Sequence, residues 1–130
     1  MKYSEMRHKL PLLIDFDGTL CKSHEYKFKG DGIIEGEPVH RAIERLREYE
    51  AAGFETVIFS TRCRSIEGQT AIMRWMSYAF MSHSFGLGLP YRLSCTKEDC
   101  YCQIDDKSFG YENMPTVKEL MEWSPWWWRG

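Results

Sequence analysis

Asp15 and Asp17 flank Phe16 in the run Asp15-Phe16-Asp17-Gly18-Thr19, directly after the apolar stretch Leu10-Pro11-Leu12-Leu13-Ile14. Side chains alternate faces along a strand, so the two carboxylates start on one side, about 6.6 Å apart. Such a pair is costly to bury unless it binds a cation or moves protons. Gly18 lets the backbone turn or approach a ligand, and Thr19 adds a hydroxyl. Three further groups extend the set: Ser60-Thr61-Arg62, Lys97, and Asp105-Asp106. Four carboxylates in one pocket repel one another without a cation. Carboxylate and carbonyl oxygens suit Mg²⁺, which keeps several waters and joins substrate phosphate. The Ser60 hydroxyl and the Lys97 ammonium suit the remaining phosphate oxygens. The chemistry that results is phosphoryl transfer with a carboxylate as covalent nucleophile.

These groups meet only if the elements between them alternate correctly. Leu10 to Asp15 reads as a strand buried on both faces. Residues 20–35 are mixed and read as a loop or flap. Pro38 suits the first position of a helix in which Val39, Ala42, Ile43, Leu46 and Tyr49 recur at helical spacing, with Gly53 as its stop. Phe54 to Ser60 is a second strand. A helix from about Glu67 to His83 carries Ile72, Trp75, Met76, Ala79 and Phe80 on one stripe, and Gly86, Gly88 and Pro90 end the segment. Tyr91 to Ser94 and Tyr101 to Asp105 are short strands, and Pro115 opens a last helix. Strands alternating with helices imply an α/β fold, a three-layer sandwich with a mainly parallel sheet. In such sheets ligands bind beyond the carboxyl ends of the strands, where these acids fall.

Composition narrows the function classes. The chain has 130 residues, suited to one domain spanning 1–130, with 43% hydrophobic residues to fill a core. Its net charge of −2 disfavours a general nucleic-acid binder. No apolar stretch approaches the ~20 residues of a membrane helix, and Met1 to Lys9 lacks the apolar region of a secretion signal, so a cytoplasmic protein is expected. The five cysteines, Cys21, Cys63, Cys95, Cys100 and Cys102, include no CxxC pair and no histidine nearby. They read as thiols rather than as a zinc site or a disulfide framework.

Taken together, the four groups resemble the motifs of the haloacid dehalogenase-like phosphohydrolase superfamily, over Leu10 to about Gly110. The resemblance implies a Rossmannoid fold and gives each residue a role. Asp15 matches the aspartate nucleophile and Asp17 the general acid/base, whose carbonyl also ligates magnesium. Ser60 matches the motif II hydroxyl, with Thr61 as the neighbouring candidate. Lys97 matches the motif III cation, with Lys107 the other lysine near the site. Asp105 and Asp106 match the magnesium-binding acids, so the implied metal set is Asp15, Asp17, Asp105 and Asp106. Dehalogenases and phosphonatases of the superfamily lack the acid at the Asp17 position, so a phosphate-ester hydrolase is expected.

Roughly 20 residues separate Thr19 from the first helix, enough for a flap but not for a folded cap. A capless, open site is therefore expected, with a phosphorylated substrate as partner. Arg62 and Arg64 follow the motif II strand and could bind a second anionic group or pair with carboxylates. His24 in the flap could touch substrate or stay a loop histidine. The tail Trp123-Ser124-Pro125-Trp126-Trp127-Trp128 is dense in aromatics, which favours packing on the domain or a homo-oligomer contact. The same acids also suit a non-catalytic binding module, a phospho-aspartate switch resembling a response-regulator receiver, or a nucleic-acid 3′-phosphatase. No P-loop is present to support a kinase.

Overall fold

Leu12–Asp15 forms strand β1, and Leu12, Leu13 and Ile14 are almost wholly buried. Thr56–Phe59 forms β2, Arg92–Ser94 β3 and Cys102–Ile104 β4. The computed structural model describes residues 1–22, 28–82, 91–105 and 114–129. Among these, the strands make one four-stranded, all-parallel sheet in the order β3-β2-β1-β4. β1 is interior, flanked by β2 and β4, which is why its sequence is a continuous apolar run rather than an alternating one. The fold is α/β.

Three α-helices accompany the sheet: α1 (Ala42–Ala51), α2 (Ile66–Ser82) and α3 (Val117–Glu122). The α1 residues Ala42, Ile43, Leu46 and Tyr49 are buried, as their spacing requires. The helix begins later than Pro38, however. Residues 37–39 are instead bonded to the loop after β1: Lys22 N–H donates to Glu37 O at 2.8 Å and Val39 N–H to Leu20 O at 2.8 Å. Arg41 then caps α1 in a left-handed conformation, φ 63°. Gly53 ends the helix region at φ 89°, the left-handed geometry that glycine adopts at no steric cost.

In α2, Ile72, Met76 and Ala79 are buried and Trp75 packs partly against the same core. The stop expected at Gly86, Gly88 and Pro90 lies outside the described residues, as does His24. The no-cap expectation also rests partly on these segments. α3 is opened not by Pro115 but by Thr116, whose hydroxyl accepts the Glu119 N–H while the Glu119 carboxylate accepts the Thr116 N–H.

Both chain ends pack together. A 3₁₀ helix at Tyr3–His8 buries Tyr3, whose hydroxyl donates to Tyr101 O at 2.6 Å. The rings of Trp123, Trp128 and Trp127 stand edge-on to Tyr3, at 5.5, 5.2 and 6.2 Å between centroids. Three of the tail tryptophans thus contact Tyr3 on the domain itself; Trp128 is half-buried, whereas Trp123, Trp127 and above all Trp126 stay exposed. All five cysteines are free thiols. No helix among the described residues is long and apolar enough to cross a membrane.

Candidate active site

Parallel pairing decides which side chains meet. Asp15 lies opposite Phe59, so Ser60 follows at the next position of the neighbouring strand end. Ile14 lies opposite Ile104, so Asp105 continues β4 at the level where Asp15 ends β1. Asp15, Ser60 and Asp105 therefore share the carboxyl edge of the sheet. Both carboxylates are half-buried, and Gln103 Nε2 donates to Asp105 Oδ2 at 3.1 Å. Asp106 and Lys107 lie outside the described residues. Among the described residues no cluster of three or more His, Cys, Asp or Glu side chains forms.

Beyond β1 the chain turns tightly over a buried Phe16. The Phe16 carbonyl accepts N–H groups from Thr19, Leu20 and Cys21, and Gly18 N–H donates to Cys21 O at 2.8 Å. Gly18 sits at φ 86°, so this turn calls for glycine. The turn lifts Asp17 out of the strand, leaving its side chain 37% exposed. Thr19 is buried, and its hydroxyl oxygen has no hydrogen-bond partner among the described residues.

The partner of Asp17 is Arg62. Nε donates to Oδ2 at 2.9 Å and Nη2 to Oδ1 at 3.1 Å, a two-bond fork. Nη1 reaches the carbonyls of Gly30, Asp31 and Ile33 at 2.8, 2.9 and 3.0 Å. The Phe28 ring lies 5.0 Å from the guanidinium carbon. Arg62 is only 6% exposed, which this full set of partners makes tolerable. Its backbone is fixed as well. Ser60 Oγ caps the 3₁₀ turn Thr61–Arg64 by accepting the Arg62 N–H at 3.1 Å. Gly68 packs so closely that a Cβ there would fall 1.8 Å from Arg62 O.

Arg64 is taken up similarly, with Nε 3.1 Å from Asp31 Oδ2. Both arginines thus pair with carboxylates of the protein rather than standing open to a second anion. Thr61 is exposed and, with Asp17 and Arg62, lines a cavity of about 320 Å³ closed by Lys22, Phe28 and Ile33. A larger hollow of about 890 Å³ runs between residues 30–34 and the first turns of α2. Lys97 is exposed, its ammonium 5.9 Å from the centre of the Phe59 ring, and Phe59 is the residue paired with Asp15.

Electrostatics fit this arrangement. Burial, and then the Asp17 charge, push the Cys21 thiol up to about 12, with Arg62 acting in the opposite sense. Burial, then Cys100 and Asp105, push Cys102 up to about 12. Both thiols stay protonated at neutral pH, so neither is a nucleophile there.

Two features escaped the sequence. Pairing with a carboxylate was one reading of Arg62, but that the carboxylate is Asp17 was not, and neither was the place of Lys22 in the cavity wall. The signal for Arg62 was its place beside Ser60-Thr61, but its partners lie 29 to 45 residues away in the chain. No family model, curated protein or solved structure matches this chain.

Proposed function

We propose that this chain is a magnesium-dependent phosphomonoester hydrolase of the haloacid dehalogenase-like type, a three-layer α/β sandwich without a cap domain. The observation that carries the reading is the shared carboxyl edge: Asp15 ends the interior strand β1, and Ser60 and Asp105 directly follow the ends of its neighbours β2 and β4. The donors suit the metal, because the Asp15 and Asp105 carboxylates and the Asp17 carbonyl are hard oxygen ligands, with Asp106 next in sequence. When bound, Mg²⁺ would supply positive charge beside the Asp15 and Asp105 carboxylates and against the phosphate oxygens.

The residues then divide the work. A carboxylate oxygen of Asp15 attacks phosphorus, and the bond to the leaving oxygen breaks. Asp17 gives its proton to that oxygen, so the product leaves as an alcohol. In the second half Asp17 takes a proton from water, whose oxygen attacks the aspartyl-phosphate. The bond between phosphorus and Asp15 breaks, which restores the carboxylate and releases inorganic phosphate. Ser60 already accepts the Arg62 N–H, and no described residue takes the proton of its hydroxyl, which suits a phosphate oxygen. Lys97 adds positive charge over the same strand end. Arg62 acts through Asp17 as a positioning residue. Because the fork engages both Asp17 oxygens, one N–H contact opens whenever Asp17 carries a proton.

That double hold also favours one second reading, a phospho-aspartate switch in which Asp17 activates water slowly. The lifetime of the phosphorylated protein separates the two. An enzyme turns over p-nitrophenyl phosphate continuously in Mg²⁺, stops with EDTA, and loses turnover in Asp15→Asn. A switch yields a single long-lived adduct. Wild-type turnover in Asp15→Asn would overturn both.

A further inference from the structure

The cavity beside Asp17 has an uneven charge balance. Its wall includes Asp17, Lys22, Glu35 and Arg62. Arg62 is spent on Asp17 and on three carbonyls. Glu35 is spent on Lys29, whose ammonium lies 2.7 Å from Oε1. Lys22 is half-buried, yet its ammonium meets no hydrogen-bond or ion-pair partner among the described residues. Once these pairs are cancelled, one positive charge is left over among the described residues of the wall. An ammonium at a cavity wall with no counter-charge among the described residues is placed to take an anion.

Lys22 is also held in place. Its N–H donates to Glu37 O at 2.8 Å, and its carbonyl accepts the Cys21 thiol at 3.6 Å. A Cβ at Gly36 would lie 1.9 Å from that carbonyl, so the two backbones touch and only glycine fits there. Cys21, the preceding residue, is bridged to Asp17. The root of the Lys22 side chain is therefore fixed relative to the carboxylate proposed to protonate the leaving group. Phe28, Ile33 and Ile34 supply apolar wall between the charged groups. A volume of about 320 Å³ sits at the small end of ligand pockets, which run from about 300 to 1,000 Å³.

Building on the phosphatase reading, we propose that Lys22 determines specificity by binding a second anionic group on the leaving alcohol. The substrate class is a small phosphomonoester whose alcohol carries a carboxylate or a second phosphate. Asp15 meets the transferred phosphate, Asp17 serves the leaving oxygen, and Lys22 neutralises the far end of the same molecule. This assigns to Lys22 the role that the sequence offered to Arg62 and Arg64, both of which are already paired.

The test compares three probes of one chain length: propyl phosphate, β-phosphooxypropanoate and trimethylene bisphosphate. In wild type, kcat/KM for at least one anionic probe exceeds that for propyl phosphate by about tenfold or more, as a charge-assisted contact allows. Which anionic probe is preferred tells carboxylate from phosphate. Lys22→Met brings that ratio close to one, and Lys22→Arg keeps most of it. A wild type without the preference, or a Lys22→Met protein that keeps the wild-type ratio, overturns the assignment. If wild type hydrolyses none of the three and does not turn over p-nitrophenyl phosphate either, the phosphatase reading falls. Calorimetric Kd values for the same probes then decide the role of Lys22. A preference for an anionic probe that Lys22→Met abolishes sustains it, and equal affinities for all three overturn it.

Discussion

Arg62 grips both oxygens of the Asp17 carboxylate, at 2.9 and 3.1 Å, while its remaining nitrogen draws in the carbonyls of Gly30, Asp31 and Ile33. One buried guanidinium thus couples the second acid of the motif to the segment that covers it. Asp17 and residues 30–33 cannot shift independently without breaking that set.

Removing the fork has two consequences. Arg62→Met strands three carbonyls and a carboxylate, and should cost about 2–4 kcal/mol in chemical denaturation, at the low end for a buried pair because Asp17 is partly solvated. Arg62→Lys keeps the charge but loses the planar fork. In the Lys variant kcat for p-nitrophenyl phosphate should fall about tenfold or more with KM little changed, the signature of a contact that matters after binding. A parallel rise in KM with unchanged kcat would mean that Arg62 holds substrate instead.

Stability should fall on the alkaline side. Burial first of all pushes Cys21 and Cys102 from 9.0 to about 12, and Tyr3 and Tyr101 from 10.0 to about 12. The folded protein keeps these protons where the unfolded chain has already released them. The contribution is complete below pH about 9 and is lost as pH rises toward about 12. Urea midpoints should therefore match near about pH 8 and about pH 7, and drop by about pH 10.5. A flat profile across that range would place these groups in water.

Tyr3 seats the aromatic tail. It is 3% exposed and touches Tyr101 and three tryptophans. Tyr3→Ala should cost about 3–5 kcal/mol and shift tryptophan emission to the red, whereas Tyr3→Phe loses only the bond to Tyr101 O, about 1 kcal/mol. Unchanged emission in Tyr3→Ala would show that the tail packs elsewhere, for example on a second copy.

Strands β1 and β2 were legible because each is a short apolar run, and the acids after β1 and β4 mark the carboxyl edge of the sheet; β3, with the sequence Arg92-Leu93-Ser94, carries no such signal of its own. The start of α1 was not legible. Pro38 looks like a first helical residue, but Lys22 and Leu20 claim the backbone of Glu37 and Val39, and pairing across the chain leaves no local trace. The burial of Arg62 was equally hidden, since arginine normally stays in water and its partners come from two distant segments. The Trp-rich tail did announce a packed cluster by composition. Its partner, Tyr3, sits at the other end of the chain in a 3₁₀ helix whose polar sequence gave no periodic signal.

The covalent role of Asp15 is the centre of the account, and acid-quenched turnover with substrate labelled in its phosphate tests it most directly. The account predicts label on the wild-type protein, in the peptide that carries Asp15, and none on Asp15→Asn. Steady hydrolysis with no label on the protein, or equal label on Asp15→Asn, would contradict it.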